Sequence, residues 1–194
     1  TQGYSSAASD VYKRQVEKAK ELDVCGYEIE RSCIRFIAME QPLATDLMYI
    51  ESSIRVISHV KRIAYLCRNI AESAATIEGI KVSNKIMEDL EYMADYVQIM
   101  LTRGFGSFCN QDISVARELA SDDDKVDDLF DIILSHTTEL LTEKTQNALE
   151  IVNIIFIARY LERIADRVVN IGERVIFINT HKRPHIEELK KEEQ

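Results

Sequence analysis

The chain has 194 residues, 33 of them acidic and 24 basic, so its formal net charge is −9 at pH 7. This charge argues against a nucleic-acid-binding surface and favours metal ions or proteins as partners. Hydrophobic residues make up 46% of the chain, enough for a substantial core, whereas six Gly and two Pro are too few for the turns of a strand-rich fold. The composition therefore predicts long helices.

No apolar segment approaches the roughly 18 residues that a membrane span requires, and the first residues lack the pattern of a signal peptide. The four Cys residues show no CxxC spacing and are expected to be reduced thiols in the core. We therefore expect a cytoplasmic protein without membrane insertion. Residues 1–15 resemble a leader that is either disordered or translated from a sequencing adapter, and they carry no functional argument.

Apolar residues recur at intervals of three and four, which predicts five helices, at about 15–40, 44–74, 79–104, 110–142 and 146–178. Pro42 separates the first two helices, and the residues Gly104-Phe105-Gly106 are expected to end the third. Short connections between long helices favour antiparallel neighbours. The expected fold class is all-α, built from tandem antiparallel helical bundles.

An internal repeat of about 100 residues relates the two halves of the chain. Residues 61–72 align with residues 162–173, and six of the twelve positions are identical. The predicted organisation is a leader at 1–15, an incomplete first bundle at 16–76, a complete three-helix bundle at 77–180 and a charged tail at 181–194.

Four carboxylates of the second repeat are expected to form one patch. Asp123 and Asp127 lie four apart on one predicted helix, and Glu162 and Asp166 lie four apart on the next, so each pair shares a helix face. The pairs 127 with 162 and 123 with 166 both have the midpoint 144.5, inside the polar stretch 142–147. An antiparallel hairpin turning there would bring the four together, and a bound cation would relieve their mutual repulsion.

Carboxylate oxygens without Cys or nearby His favour Mg²⁺, Mn²⁺, Ca²⁺ or iron, and suit zinc less well. Neighbouring side chains extend the patch: Asn170 and Glu173 continue its stripe, and Arg159 and Arg163 are placed to pair with acidic neighbours and orient them. The alternative is that these carboxylates form the solvated helix faces of an acidic protein.

The first repeat has lost this chemistry, because its aligned positions hold Asp23, Tyr27, Lys61 and Tyr65. The midpoint of these positions is residue 44, again within an expected turn, so the hairpin geometry is kept. Lys61 supplies a positive charge where a cation would bind, and we expect no equivalent metal cluster there.

Three motifs resemble those of the PhoU family of phosphate-signalling proteins, and the resemblance that they carry runs from about residue 20 to 178. Residues 41–47 are similar to the family's QPxATDLR turn, with Met48 in place of the Arg. Residues 108–130 resemble its acidic helix with the pattern DxxVDxL, and residues 158–173 resemble its ARYLERIGD signature.

The resemblance implies two tandem three-helix bundles, here without the first helix, whose E(D)xxxD motifs bind multinuclear metal clusters. Iron is the metal it favours, with manganese, zinc or magnesium as alternatives. By position, the resemblance assigns Asp123, Asp127, Glu162 and Asp166 as ligands and keeps Asp23 alone of the first set. It implies a regulator rather than an enzyme, one that restrains phosphate uptake and phosphate-starvation signalling.

The implied partners are the ATPase subunit of the phosphate ABC transporter and the phosphate sensor kinase, and a homodimer stays open. One rival interpretation is a metal-free helical interaction module that docks through its acidic surface. Another is a carboxylate-bridged di-iron enzyme, which would need Glu-x-x-His pairs on facing helices that the sequence lacks. No Gly-rich loop suggests direct phosphate binding.

Overall fold

The structure, a computed structural model, describes residues 6–77, 84–143 and 148–182, and within these ranges it contains helices and no strands. The helices are α1 (Ser6–Glu40), α2 (Ala44–Ala75), α3 (Asn84–Asn110), α4 (Ile113–Glu143) and α5 (Ala148–Thr180). This architecture confirms the predicted all-α fold class. His185 and most of the predicted tail lie outside the described residues, as does most of the predicted turn at 142–147.

Two antiparallel hairpins are joined back to back. α1 packs on α2, α4 packs on α5, and α2 packs against α5 to join the two hairpins. Two contacts show that α2 and α5 are antiparallel neighbours. Glu51 of α2 forms a salt bridge with Arg174 of α5 at 3.5 Å, and Met48 contacts His181. α3 lies against both α4 and α5, so the second hairpin is part of a three-helix bundle.

The main core lies between α2, α3, α4 and α5. Its largest fully buried side chains are Leu66, Met93, Met100, Leu119, Ile133, Ile151, Ile154, Ile164 and Ile171. Among the described residues of α1, in contrast, Ala19 is the one buried hydrophobic residue. The apolar spacing of the helices therefore builds one core that is centred on the second half of the chain.

The first helix starts earlier than the sequence predicted. α1 begins at Ser6, so residues 6–15, expected to be a leader outside the fold, are helical and continuous with the rest of α1.

The third helix ends later than predicted, because α3 continues through Gly104 to Asn110. A Cβ added at Gly104 would lie 2.4 Å from Cγ1 of Val168, so this glycine allows α3 and α5 to approach closely instead of ending α3. The chain turns at Gln111, whose φ of 55° is left-handed. Asp112 then caps α4, since its Oδ1 accepts a hydrogen bond from the backbone N–H of Val115 at 3.2 Å.

The cysteines also differ from expectation. All four are free, but Cys25 and Cys109 are exposed, and Cys33 and Cys67 are half-buried. Cys67 packs against the main core, as predicted, but the prediction was wrong for the exposed Cys25 and Cys109, because the helix faces that carry them turn outward. None of the helices in the described ranges has the length and apolar character needed to cross a membrane.

Candidate metal centre

The register of α4 against α5 matches the one expected from the carboxylate spacing. Contacting pairs along the hairpin are Gln111 with Asn179, Ala116 with Gly172, and Phe130 with Arg159. The midpoints of these pairs are 145, 144 and 144.5. Because the midpoint is constant, residues 123 and 127 of α4 lie opposite residues 166 and 162 of α5.

The side chain of Glu162 is 14% exposed, and Oδ1 of Asp123 is fully buried. Asp123 is half-buried, whereas Asp127 and Asp166 are exposed. Burial is the main cause that raises the pKa of Glu162, and the negative charges of Asp166 and Asp127 raise it further. These three side chains therefore lie in one electrostatic field.

Arg159 opposes this effect on the pKa of Glu162. Its Nη1 donates hydrogen bonds to both carboxylate oxygens of Glu162, one helical turn away on α5. The same guanidinium lies 5.6 Å from the ring centroid of Phe130 on α4, which is a cation–π contact across the hairpin. Arg159 thus neutralises the enclosed carboxylate and bridges the two helices.

The donor set suits a hard or borderline cation in residue type and in helical register. In the side-chain positions of this structure, however, no three Asp, Glu, His or Cys residues of the described ranges are grouped to hold a metal ion. The two oxygens of Glu162 point at Arg159, which partly explains why they are not grouped with the other carboxylates. Metal binding would require Glu162 and its exposed neighbours to turn toward a common point.

The residues predicted to support the patch have different surroundings. The side-chain amide of Asn170 donates to the backbone oxygen of Asp166, so it lies back along its own helix. Arg163 is exposed, and Glu173 is half-buried. Of the four predicted supporting residues, Arg159 has the contact that bears most directly on the carboxylates.

The corresponding place in the first hairpin contains hydrogen-bonded pairs. Lys61 Nζ lies 3.2 Å from Glu30 Oε1, and the hydroxyl of Tyr65 donates to Asp23. This bond to Asp23 is the main cause of a raised Tyr65 pKa. Tyr27 is 63% exposed. The ammonium group of Lys61 therefore lies between α1 and α2, at the place that corresponds to the carboxylate patch of the second hairpin.

A buried acidic residue that the sequence analysis missed lies next to the predicted patch. Asp122 is 5% exposed and faces α3. It accepts a hydrogen bond from Tyr96 at 2.6 Å, is bonded by Arg103, and lies 3.3 Å from Lys125 Nζ. Burial, followed by the bond to Asp122, raises the pKa of Tyr96.

The apolar periodicity contained a signal for this residue. Position 122 follows the buried Leu119 by three and precedes the buried Val126 by four, so it belongs to the core-facing stripe of α4. Asp123, one residue further along the helix, is turned away from this stripe. Of the three successive Asp residues, Asp122 therefore lies at the interface with α3, Asp123 is the residue of the predicted patch, and Asp124 is exposed.

Fold and site together define a class of helical protein in which two related hairpins are joined and one of them presents a carboxylate patch. The family profile of the PhoU domain matches residues 4–74 and 90–175. The chain therefore belongs to the PhoU domain family.

The chain is similar to curated proteins over most of its length. It is 44% identical over 172 residues to phosphate-specific transport system accessory protein PhoU homolog 1 of Methanothermobacter thermautotrophicus, covering 89% of this chain and 78% of that protein. It is 28% identical to phosphate-specific transport system accessory protein PhoU of Escherichia coli, covering 87% of this chain and 70% of that protein.

Solved structures show the same fold. The crystal structure of PhoU from Pseudomonas aeruginosa has a TM-score of 0.82 and 25% identity, and the match covers 88% of this chain and 82% of that one. The phosphate transport system regulatory protein PhoU from Streptococcus pneumoniae also has a TM-score of 0.82, with 21% identity and coverage of 90% and 81%. Its likeness supports the fold alone.

Proposed function

We propose that this protein is an accessory regulator of a phosphate-specific transport system and that it binds metal ions at Asp123, Asp127, Glu162 and Asp166. The family membership supports the regulatory role, since relatives over most of the chain are named accessory proteins of such a system. The metal would be iron or a similar cation, with manganese, zinc or magnesium as alternatives.

The observation that carries the metal proposal is the enclosed carboxylate of Glu162. Its side chain is 14% exposed, and the negative charges of Asp166 on α5 and Asp127 on α4 act on it. Arg159 offsets one of these charges, but concentrating the remaining carboxylates around Glu162 costs free energy unless a further cation is present. A metal ion bound by these oxygens would neutralise the patch and link α4 to α5.

The regulatory proposal is a cytoplasmic adapter without enzymatic activity. It would dock on the transporter ATPase subunit and on a phosphate sensor kinase, restraining both phosphate uptake and phosphate-starvation signalling. An acidic chain of net charge −9 suits docking on positively charged protein surfaces. The metal-free alternative uses the same acidic surface but predicts no bound cation.

Elemental analysis tests the metal proposal. The wild-type protein and Asp127→Asn/Glu162→Gln are purified without a histidine tag, exposed separately to iron, manganese and zinc, and desalted. We expect more than one metal ion per wild-type chain and loss of most of it in the double variant. The control, Glu88→Gln/Glu91→Gln, removes two exposed carboxylates from α3 and should bind as the wild type does.

Two outcomes would contradict the metal proposal. A helical wild-type protein that retains no metal would leave the acidic interaction module as the better explanation. Equal metal loss in both double variants would show that net charge, and not the patch between α4 and α5, determines binding.

A further inference from the structure

Arginine side chains from two helices meet at the junction of α2 and α5. His59 of α2 lies in the electrostatic field of three of them, which are Arg55 of α2 and Arg167 and Arg174 of α5. Glu51 links the two helices, because it pairs with Arg55 on its own helix and lies 3.5 Å from Arg174. The junction of an acidic chain therefore contains a compact group of positive charges.

This group extends from the surface into the protein. The side chain of Arg55 is 56% exposed and that of Arg174 is 9% exposed, while His59 and Arg167 are half-buried. Three of the four side chains are thus in contact with solvent, and Arg174 is withdrawn from it. Charges interact more strongly where water is partly excluded, so an anion at the junction would be held better than one on the open surface.

The junction has more positive charge and more polar hydrogen than its own groups satisfy. Glu51 contributes one negative charge against the three arginines. The Nε of Arg167 is buried and has no hydrogen-bond partner among the described residues, and the same is true of Oγ of Ser52, the neighbour of Glu51. Buried polar groups without partners and poorly balanced charges cost free energy, which a bound anion would recover.

The chemistry of the junction favours phosphate. Guanidinium groups stay charged and bind phosphate oxygens through charge-assisted hydrogen bonds. Burial, followed by the arginine charges, lowers the pKa of His59 to about 4, so its ring is neutral at pH 7 and one ring nitrogen can accept a hydrogen bond. Monohydrogen phosphate has an O–H that can donate to this nitrogen, whereas sulfate has none at pH 7.

We propose that the junction of α2 and α5 binds inorganic phosphate through Arg55, Arg167 and Arg174. The neutral ring of His59 accepts a hydrogen bond from the bound phosphate, and Nε of Arg167 gains the acceptor that it lacks. This binding does not depend on metal ions at the carboxylate patch. Because α2 and α5 belong to different hairpins, bound phosphate links the two, and if the proposed regulatory function holds, it gives the regulator a direct response to phosphate.

The test is an NMR titration of the His59 ring with sodium phosphate. The full chain is stripped of metal ions by chelation, desalted at pH 7 and kept at constant ionic strength with NaCl, because screening changes charge interactions. We expect saturable shifts of the ring signals and, at saturating phosphate, a raised His59 pKa, since a nearby negative charge favours the protonated ring. Sodium sulfate should bind roughly two- to tenfold more weakly, the effect of one hydrogen bond.

Two variants and a matched control locate the site. Arg167→Gln should weaken phosphate binding roughly tenfold, because charge-assisted hydrogen bonds contribute more than neutral ones. Arg167→Lys keeps the charge but loses the Nε–H, so it should weaken binding less. The control, Arg163→Gln, removes an exposed arginine one turn earlier on α5 and should stay within about twofold of wild type. Circular dichroism verifies that each variant is helical before titration.

Three results would overturn this inference. His59 signals that do not respond to phosphate in the wild type would exclude binding at the junction. Equal weakening in Arg167→Gln and Arg163→Gln would show that net charge, and not the arginine group, attracts the anion. Equal affinity for sulfate would show that the junction does not select phosphate. None of these results bears on metal binding at the carboxylate patch, which elemental analysis tests separately.

Discussion

The two hairpins, α1–α2 and α4–α5, share a backbone arrangement but differ in how they balance charge between their helices. In the first, Lys61 pairs with Glu30, and Tyr65 donates to Asp23. In the second, the aligned positions are carboxylates, and Arg159 reaches Glu162 from the same helix. Duplication thus preserved the hairpin register while one copy lost the residues that concentrate negative charge.

The hairpins also differ in how they are covered. α3 packs on α4 and α5, whereas α1 contacts α2 and no other helix of the described ranges. Cys33 and Phe36 of α1 line an open groove with Tyr49 and Ile50 of α2, and Phe36 is 49% exposed. In the second hairpin, the position that corresponds to Cys33 is Ile133 of α4, which is fully buried. Covering by a third helix, and not hairpin formation, therefore determines where the core lies.

The largest expected effect tests this difference in covering. Ile133→Ala should lower the free energy of unfolding by about 2–5 kcal/mol, because it leaves a cavity beneath α3. Cys33→Ala, 100 residues earlier in the repeat, should cost less than about 1 kcal/mol because its side chain is half-buried. Urea unfolding followed by circular dichroism measures both, and equal losses would contradict the contrast.

The next effect concerns how closely the helices approach. A Cβ at Gly172 would lie 2.9 Å from the backbone oxygen of Ala116, so Gly172→Ala should destabilise the second hairpin by about 1–3 kcal/mol. At Gly26 the added Cβ would meet Lys61 Cδ at 2.9 Å and Ile57 Cγ2 at 3.0 Å, which are side-chain atoms that can shift more easily than backbone. Gly26→Ala should stay within about 1 kcal/mol of wild type, helped by its higher helix propensity. Comparable melting-temperature losses in both variants would show that the hairpins are equally tight.

A pH-dependent effect is expected where α2 meets α5. Burial, followed by the positive charges of Arg167, Arg174 and Arg55, lowers the pKa of His59 from 6.5 to about 4. Since the folded state disfavours the protonated ring, the stability that depends on neutral His59 is present above pH 6.5 and is lost as the pH falls toward 4.

The His59→Gln variant measures this effect. After discounting for the partial exposure of the ring, the wild type should lose roughly 1–2 kcal/mol more than His59→Gln between pH 7 and pH 4. Chemical unfolding at several pH values gives the difference, and an NMR titration of the ring gives the pKa itself. A ring that titrates near 6.5 would be inconsistent with this description of the junction.

The smallest effect sharpens the contrast in charge. Lys61→Gln removes the ammonium between α1 and α2 and should cost about 0.2–1 kcal/mol, less at high salt, because both partners of the Lys61–Glu30 pair are partly exposed. Arg62→Gln, a neighbouring exposed position, is the control and should be nearly neutral. If Lys61→Gln stabilised the chain, the ammonium would not be acting as a counter-ion in the first hairpin.

Much of the fold was predictable from local sequence. Apolar spacing identified five helices, and the midpoint 144.5 anticipated the register that Phe130 and Arg159 display across the hairpin. The glycines were harder to interpret. The local sequence around Gly104 predicts the end of a helix, but in the structure Gly104 lies inside α3, where it allows Val168 of α5 to pack closely. The role of a glycine depends on the distance to another helix, which no local pattern records.

The sequence by itself determined the helices, the repeat and the four carboxylates that share facing stripes, because helical periodicity is a local property. Tertiary structure alone decided that Asp122 is buried against α3 while its neighbour Asp123 is half-buried. It also decided that Glu162 meets Arg159 and that α1 stays largely uncovered. These outcomes depend on side-chain orientation and on contacts between residues distant in the chain, which are set when the helices pack.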